Sequence, residues 1–181
     1  MASMTESPSR PLKTISVRRW YLEMRENLGR ELSHPVPGTR VTRAIAPSVR
    51  YYRTLYNAVG AKWKWIDRDL LSDEELAETI QDERVEVYVL RVDGEPAGFG
   101  ELDRRQGDEI ELAYFGLIEK YTGRGLGKFL LNWLVLRAWA YSPSRLWLHT
   151  CELDHPAARP LYQQAGFEVF DERMIDQRVE A

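Results

Sequence analysis

Three glycines alternate within a short segment that precedes a long apolar stretch, at Gly123, Gly125 and Gly127. The first N–H groups of a helix have no acceptor within the helix, and they carry the positive end of its dipole. Glycines allow an anion to approach these N–H groups closely, and Arg124 and Lys128 add positive charge beside them. The segment therefore predicts a phosphate-binding loop, although a tight strand-to-helix connection without a ligand produces the same pattern.

Two common phosphate loops do not fit this segment. A P-loop requires G-x-x-x-x-G-K-[ST], but Thr122 stands at its first glycine position and Phe129 follows Lys128. A dinucleotide fingerprint requires G-x-G-x-x-G, and Lys128 occupies its third glycine position. The pattern that remains, R/Q-x-x-G-x-G/A, resembles the acetyl-CoA loop of the GNAT acetyltransferases. Thr122 replaces the usual Arg or Gln, which removes one side-chain contact to phosphate and keeps the backbone donors.

A second motif lies on the next predicted helix and resembles the same family. Residues 161–167, Leu-Tyr-Gln-Gln-Ala-Gly-Phe, match the family's L-Y-x-x-x-G-F, and Ala158 matches the small residue that precedes it. His155 stands where the family has Asn. The resemblance covers residues 83–171, and it implies acetyl-CoA as cosubstrate and transfer of an acetyl group to an amine in a ternary complex.

The resemblance also implies roles for residues of the site. An N–H near Leu117 is the implied oxyanion donor, at the place where two parallel strands diverge in the family. Tyr162 is the implied general acid for the CoA thiolate, since a phenol with a pKa of about 10 is neutral at rest; the alternative is a core tyrosine. The implied cofactor-binding residues are Leu117, Ile118, Thr122, Gly123, Arg124, Gly125, Leu126, Gly127, Lys128 and His155.

The general base is less defined by the sequence. Glu111 precedes the loop on a predicted strand, in a position that resembles the glutamate base of histone-type members of the superfamily. Burial would raise the pKa of its carboxyl group and prepare it to accept a proton from an ammonium. A solvated or structurally paired glutamate is an equal alternative, and Glu109 and Glu101 compete for the same role.

Two histidines, His149 and His155, flank Cys151 and invite a metal or a thiol-nucleophile interpretation. His149 and Cys151 share one face of a predicted strand, whereas His155 belongs to the next loop, and the sequence contains a single cysteine. We therefore predict neither a metal site nor a nucleophilic cysteine. Aromatic residues of the region before residue 66 either line the acceptor side or pack a helix on the sheet; they are Tyr51, Tyr52, Tyr56, Trp63 and Trp65.

Changes in the hydrophobic period predict the elements that position these residues. Strands are predicted at 14–24, 40–46, 85–90, 96–102, 109–117, 145–151 and 167–170. Helices are predicted at 48–59 with Gly60 as C-cap, at 72–82 from a capping box, at 125–141, and at 156–165 with Pro156 at its first position. Together with the resemblance, this order predicts an α/β (mixed α+β) acyl-CoA N-acyltransferase fold. Its mostly antiparallel sheet would be splayed between two parallel strands and flanked by helices.

The length favours one domain at 14–181 after a disordered segment at 1–13, with an acceptor-side half at 14–84 and an acetyl-CoA-binding core at 85–171. The net charge of -3 gives no basic patch for nucleic acid, and no apolar run is long enough to span a membrane. We expect a cytoplasmic enzyme that acts on a small-molecule amine rather than a protein, and a homodimer is compatible with this core. The alternatives are a transferase for other acyl groups and a catalytically silent acyl-CoA-binding module.

Overall fold

The computed structural model describes residues 11–181, and this part of the chain forms seven strands, four α-helices and two short 3-10 helices. The strands are β1 (Leu12–Met24), β2 (Thr39–Ala44), β3 (Val85–Val92), β4 (Glu95–Gln106), β5 (Glu109–Leu117), β6 (Arg145–Cys151) and β7 (Glu168–Glu180). The helices are α1 (Val49–Gly60), α2 (Asp73–Ile80), α3 (Leu126–Trp139) and α4 (Ala158–Gln164).

All seven strands belong to one sheet with the order β2-β3-β4-β5-β6-β1-β7. Every neighbouring pair is antiparallel except β5 and β6, which are parallel. A parallel connection needs a crossover, and α3 supplies it. The predicted fold class, a mixed α/β fold with a mostly antiparallel sheet and two parallel strands, is confirmed.

The parallel strands β5 and β6 separate soon after they meet. They pair only from Glu109 opposite Arg145 to Glu111 opposite Trp147, whereas β5 continues to Leu117 and β6 to Cys151. On the other side of β5, the register with β4 shifts between Glu101 and Leu102, so β5 carries a bulge close to the point of separation. The sheet therefore opens a gap between two strands in its centre.

Helices cover both faces of the sheet, and two hydrophobic clusters result. The larger cluster lies under α3 and α4, and the smaller one lies under α1 and α2 around Phe99. Strand β3 shows why both faces are apolar: Val87 and Val89 belong to the smaller cluster, while Tyr88 and Leu90 belong to the larger one. Alternate side chains of a strand point to opposite faces, so a strand covered on both sides has a continuous apolar sequence.

The ends of several elements differ from the predictions. The segment predicted as disordered at 1–13 includes Leu12 and Lys13, which pair with Glu180 and Val179 in β1 and β7; residues 1–10 lie outside the described residues. Gly60 is inside α1 and not its C-cap. A Cβ atom there would lie 2.3 Å from the Trp65 ring, so the glycine is required for close packing.

The last two elements also differ. Pro156 precedes α4, which begins at Ala158 after a turn, so it is not the first helical residue. Strand β7 was predicted at 167–170, but it extends to Glu180. Its second half is strongly charged and mostly exposed, because β7 is an edge strand held by backbone pairing with β1 rather than by burial. No helix within residues 11–181 is long and apolar enough to cross a membrane.

Candidate active site

A cleft of about 880 Å³ follows the gap between β5 and β6. The segment after α1 forms one wall of this cleft, and β5, β6 and the start of α4 form the others. Most of the residues predicted for the site line this single cleft: Glu111, Leu117, Thr122, Gly123, Gly125, Gly127, Lys128, His155 and Tyr162. The fold thus brings together residues that are up to 51 positions apart in the sequence.

The glycine loop presents backbone donors to one end of the cleft. Gly123 and Gly125 have φ angles of +75° and +78°, a region that side chains disfavour, and Gly125 is the N-cap of α3. The N–H groups of residues 123–128 have no backbone or side-chain acceptor within the described part of the chain. The N–H of Phe129 is the next donor, and it binds the Gly125 carbonyl oxygen at 3.1 Å. Free donors of this kind at the start of a helix can bind an anion.

Some predicted cofactor-binding residues contribute less than expected. The Thr122 hydroxyl donates to the Glu119 carbonyl oxygen at 2.8 Å, so it stabilises the preceding turn. Ile118, Arg124 and Leu126 do not line the cleft. The Ile118 N–H donates to the Ala97 carbonyl oxygen at 2.8 Å, and the Leu126 side chain is fully buried in the larger core. The exposed Arg124 guanidinium lies 5.9 Å from the Tyr121 ring centre.

The alternation of backbone N–H groups along β5 also places a donor in the gap between β5 and β6. Along an antiparallel ladder, successive N–H groups point alternately toward and away from the partner strand. The Ile118 N–H points toward the Ala97 carbonyl group, which precedes Gly98 on β4. The Leu117 N–H therefore points away from β4, toward the side where β5 and β6 are no longer paired.

Tyr162 lies in the cleft wall between two aromatic rings. Its ring packs edge-to-face on Phe115 and Phe167, with ring centres at 5.8 and 6.1 Å, and only 7% of the residue is exposed. Its hydroxyl group has no hydrogen-bond partner among residues 11–181. Burial, and to a smaller extent the negative charge of Asp154, raises the pKa of Tyr162 well above its usual value. The phenol is therefore protonated throughout the physiological range and can act as a donor.

Glu111 faces the same cleft at the point where β5 and β6 begin to diverge. Burial raises the pKa of its carboxyl group from the ordinary 4.5 to about 7, and repulsion from Asp103 and Glu101 acts in the same direction. The Gln106 side-chain amide donates to its Oε2 atom at 3.3 Å, and Nε2 of His149 lies 3.8 Å from its Oε1 atom. A carboxyl group with this pKa can accept and return a proton near neutral pH.

The competing carboxylates are already engaged. Glu109 forms an ion pair with Arg145, with Nε and Oε1 2.9 Å apart. Glu101 is fully buried, accepts a hydrogen bond from Tyr52, and forms an ion pair with Arg68. Glu101 does not line the cleft, and this leaves Glu111 as the predicted carboxylate that faces it.

His149 and Cys151 face the cleft without the properties of a metal site or a nucleophile. Burial and the nearby Arg19 lower the pKa of His149 to about 4, so its ring is neutral near pH 7. Burial and the Asp154 charge raise the pKa of the Cys151 thiol, so it stays protonated. Within residues 11–181, no three His, Cys, Asp or Glu side chains come together in a way that could hold a metal ion.

Asp154 also lines the cleft, although the sequence did not predict it as a residue of the site. It accepts hydrogen bonds from the Thr150 hydroxyl at 2.7 Å, the Cys151 N–H at 2.9 Å and the Trp65 indole N–H at 3.1 Å. The first two bonds close the turn after β6, and the third ties this turn to the segment after α1. An aspartate three residues after a strand is a turn signal, but no sequence pattern indicates its bond to Trp65.

A family model described as "Acetyltransferase (GNAT) family" matches residues 52–167 of this chain. A curated Mycobacterium tuberculosis protein described as an uncharacterized N-acetyltransferase is 28% identical over 99 residues. The aligned part covers 55% of this chain and 63% of that relative, so the chain spans less than two thirds of the relative's length.

Solved structures share the fold at low identity. A GCN5-related N-acetyltransferase from Sphaerobacter thermophilus is similar with a TM-score of 0.70 at 15% identity, over 96% of this chain and 62% of that one. An aminoglycoside acetyltransferase from an uncultured soil metagenomic sample, in complex with sisomicin, is similar with a TM-score of 0.59 at 11% identity. That similarity covers 71% of this chain and 88% of the other.

We expect the Glu111 carboxyl group to titrate near pH 7. The measurement is the ¹³C NMR chemical shift of its carboxyl carbon as a function of pH. Glu111→Gln identifies the signal. Asp103→Asn should lower the midpoint, because it removes a repulsive charge and frees Arg105 from its ion pair. A midpoint near the ordinary value of about 4.3 would show that Glu111 is solvated and is not prepared as a base.

Proposed function

Because this chain belongs to the GNAT acetyltransferase family, we propose that it transfers an acetyl group from acetyl-CoA to a primary amine by direct attack in a ternary complex. The observation that carries the proposal is the single cleft, which has free backbone donors at one end and a carboxyl group of raised pKa at the other. These two ends fit a pyrophosphate and a protonated amine, and the diverging strands lie between them.

The glycine loop binds the CoA pyrophosphate in this proposal. The free N–H groups of residues 123–128 donate to phosphate oxygens, and Lys128 adds positive charge. The pantetheine arm then extends along the gap, where the unpaired edge of β5 offers backbone groups between Glu111 and Leu117. The thioester comes to lie beside Tyr162, on the opposite wall.

The proposed chemical steps use three groups of the cleft. Glu111 takes a proton from the ammonium, and the neutral amine attacks the thioester carbonyl carbon. The Leu117 N–H donates to the oxyanion that forms, since preorganised donors at this position stabilise a tetrahedral intermediate. As the intermediate collapses, the carbon–sulfur bond breaks and the thiolate leaves. Tyr162 donates a proton to the thiolate, and the attacking nitrogen loses its second proton to the resulting tyrosinate, directly or through water. The products are the acetylated amine and CoA, with Tyr162 protonated again, and Glu111 releases its proton to solvent.

We propose a small-molecule acceptor. The acceptor end of the cleft is enclosed by three mutually packed rings, Tyr56, Trp65 and Tyr114, with centres 5.2–5.5 Å apart. An aromatic wall of this kind binds the apolar body of a small amine. The soil aminoglycoside acetyltransferase of similar fold gives a precedent for a small-molecule acceptor. The proposed cosubstrate is a central intracellular metabolite, so the proposal includes action in the cytoplasm.

The function is tested by thiol release from acetyl-CoA across a panel of amines. We expect release that requires both substrates, with a rate that rises with pH through about 7, because Glu111 must lose its proton to act as a base. Glu111→Gln should lower the rate and remove this rise. Saturable acetyl-CoA binding without release for any amine would instead indicate a silent acyl-CoA-binding module.

Glycine substitutions test the binding end. Gly125→Ala should reduce affinity for CoA at least 10-fold in calorimetry, because the φ angle of +78° and a Cβ atom 3.3 Å from Pro35 would force the start of α3, with its free N–H groups, to shift. Gly107→Ala is the matched control: its φ angle of +76° carries the same backbone penalty of about 1 to 2 kcal/mol, on a turn outside the cleft. Gly127→Ala should keep most of the affinity, since its Cβ atom would make ordinary contacts with Leu117 and Leu161 at 3.6 and 3.7 Å. Equal affinity in Gly125→Ala and Gly107→Ala would contradict a role of the loop in CoA binding.

Tyr162→Phe tests the proton donor, because it keeps the ring and removes the acidic hydrogen. We expect turnover to fall by roughly 100- to 10,000-fold while acetyl-CoA affinity changes little. Tyr121→Phe is the control, as Tyr121 is a similarly buried tyrosine that does not line the cleft. Turnover above half of the original in Tyr162→Phe would show that solvent protonates the thiolate, and that Tyr162 is a packing residue.

A further inference from the structure

Three arginines line the acceptor end of the cleft, and two of them have a carboxylate partner. They are Arg19, Arg68 and Arg105. Arg68 forms an ion pair with the fully buried Glu101. Arg105 holds Asp103 with two nitrogen atoms, Nε at 3.0 Å from Oδ1 and a terminal nitrogen at 2.6 Å from Oδ2.

Arg19 differs from the other two. Its side chain makes no hydrogen bond and no ion pair with any residue between 11 and 181, and its Nε atom, like that of Arg68, is buried without an acceptor. Beside the same cleft, the buried Oε1 atom of Gln177 lacks a donor. A buried polar atom without a partner is costly, and such atoms are normally hydrogen-bonded. The cleft is therefore lined by a partly buried guanidinium that has no carboxylate partner in the described part of the chain.

The strand register places Arg19 and Glu111 on one face of the sheet. Arg19 on β1 is opposite Cys151 on β6, and Glu111 on β5 is opposite Trp147 on β6. Residues directly opposite each other on neighbouring strands have side chains on the same face of the sheet. Trp147 and Cys151 are four positions apart on one strand, so their side chains share a face, and those of Arg19 and Glu111 lie on that face too. From strand spacing and rise, the Cα atoms of Arg19 and Glu111 are about 16 Å apart. Both side chains line the cleft of about 880 Å³, which has room for a small molecule.

The charges at the Arg19 end of the cleft favour a ligand with one carboxylate and one ammonium group over a phosphate. Glu111 and Asp67 also line this end, so the environment of Arg19 is not generally positive. A phosphate with two negative charges would be repelled by these carboxylates, whereas a molecule with one carboxylate and one ammonium would be held at both ends. The planar guanidinium has a fork of donors that matches a carboxylate group with two hydrogen bonds.

We propose that the acceptor is an amine that also carries a carboxylate, with the carboxylate bound by Arg19 and the amine placed at Glu111. The inference rests on the proposed acetyl transfer and narrows the acceptor to molecules of the amino-acid class. His149 lies between the two ends, and its neutral ring separates Arg19 from Glu111 without adding charge. The acetylated product keeps its carboxylate and loses its positive charge.

The test compares acids with their amides as acceptors for the intact protein. The common amino acids and ω-amino acids of increasing length are each assayed beside their primary carboxamide. We expect at least one acid to have a higher kcat/KM than its amide. Arg19→Gln should lower this acid-to-amide preference by about 10- to 100-fold, as expected for a hydrogen bond between charged groups. Arg18→Gln, on the opposite face of β1 and paired with Glu172, should leave the preference unchanged.

A binding measurement separates failure of this inference from failure of the acetyl transfer. With CoA present, the acid should raise the melting temperature more than its amide does, and Arg19→Gln should abolish the difference. If no amine is acetylated but this difference is found, the acetyl transfer fails and carboxylate binding stands. The inference would be overturned if, in the unsubstituted protein, acids and their amides had equal kcat/KM values and raised the melting temperature equally. Tighter binding of an aminophosphonate than of the matching amino acid would also overturn it.

Discussion

The short parallel contact between β5 and β6 determines the rest of this structure. Only three residue pairs join the two strands before they separate, and the separation leaves backbone donors and acceptors unpaired in the middle of a sheet. Unpaired backbone groups inside a protein are costly unless water or a ligand satisfies them. The crossover helix α3 starts at the open end of this gap, so its free N–H groups border the same space. The cleft is therefore a direct consequence of sheet geometry.

The raised pKa of Glu111 reduces the stability of the folded protein at neutral and higher pH. The pKa of the Glu111 carboxyl group rises from 4.5 in the unfolded chain to about 7 in the folded protein. The protonated form therefore stabilises the folded state relative to the ionised form. The free energy of unfolding therefore decreases as the pH rises through this interval, and the rest of the fold must offset the loss. Nearby, the pairing of Arg68 with Glu101 and of Arg105 with Asp103 satisfies the other buried charges. With its pKa raised to about 7, Glu111 keeps a proton in part of the molecules near neutral pH.

Local signals in the sequence were sufficient for one half of the cleft. The glycine loop, Tyr162 and the strand before the loop lie within 54 residues from Glu109, and their spacing along the chain predicts the elements that hold them. Long-range pairing was not predictable in this way. The second half of β7 has a charged sequence with few apolar positions, and only its backbone pairing with β1 makes it a strand. The bond from Trp65 to Asp154 joins residues 89 positions apart, and neither residue type indicates the other.

The two halves of the cleft also differ in their relation to the family. The family model matches residues 52–167, which contain the glycine loop, Glu111 and Tyr162. Arg19 and Gln177 come from β1 and β7, which lie outside the matched range at opposite ends of the chain. Because β1 is inserted between β6 and β7, these strands reach the cleft only in the folded sheet. The end of the cleft that we propose to bind the acceptor is thus built partly from residues outside the range that the family model matches. It follows that the nature of the acceptor must be inferred from this chain's own charges, and here those charges include an arginine without a partner among the described residues.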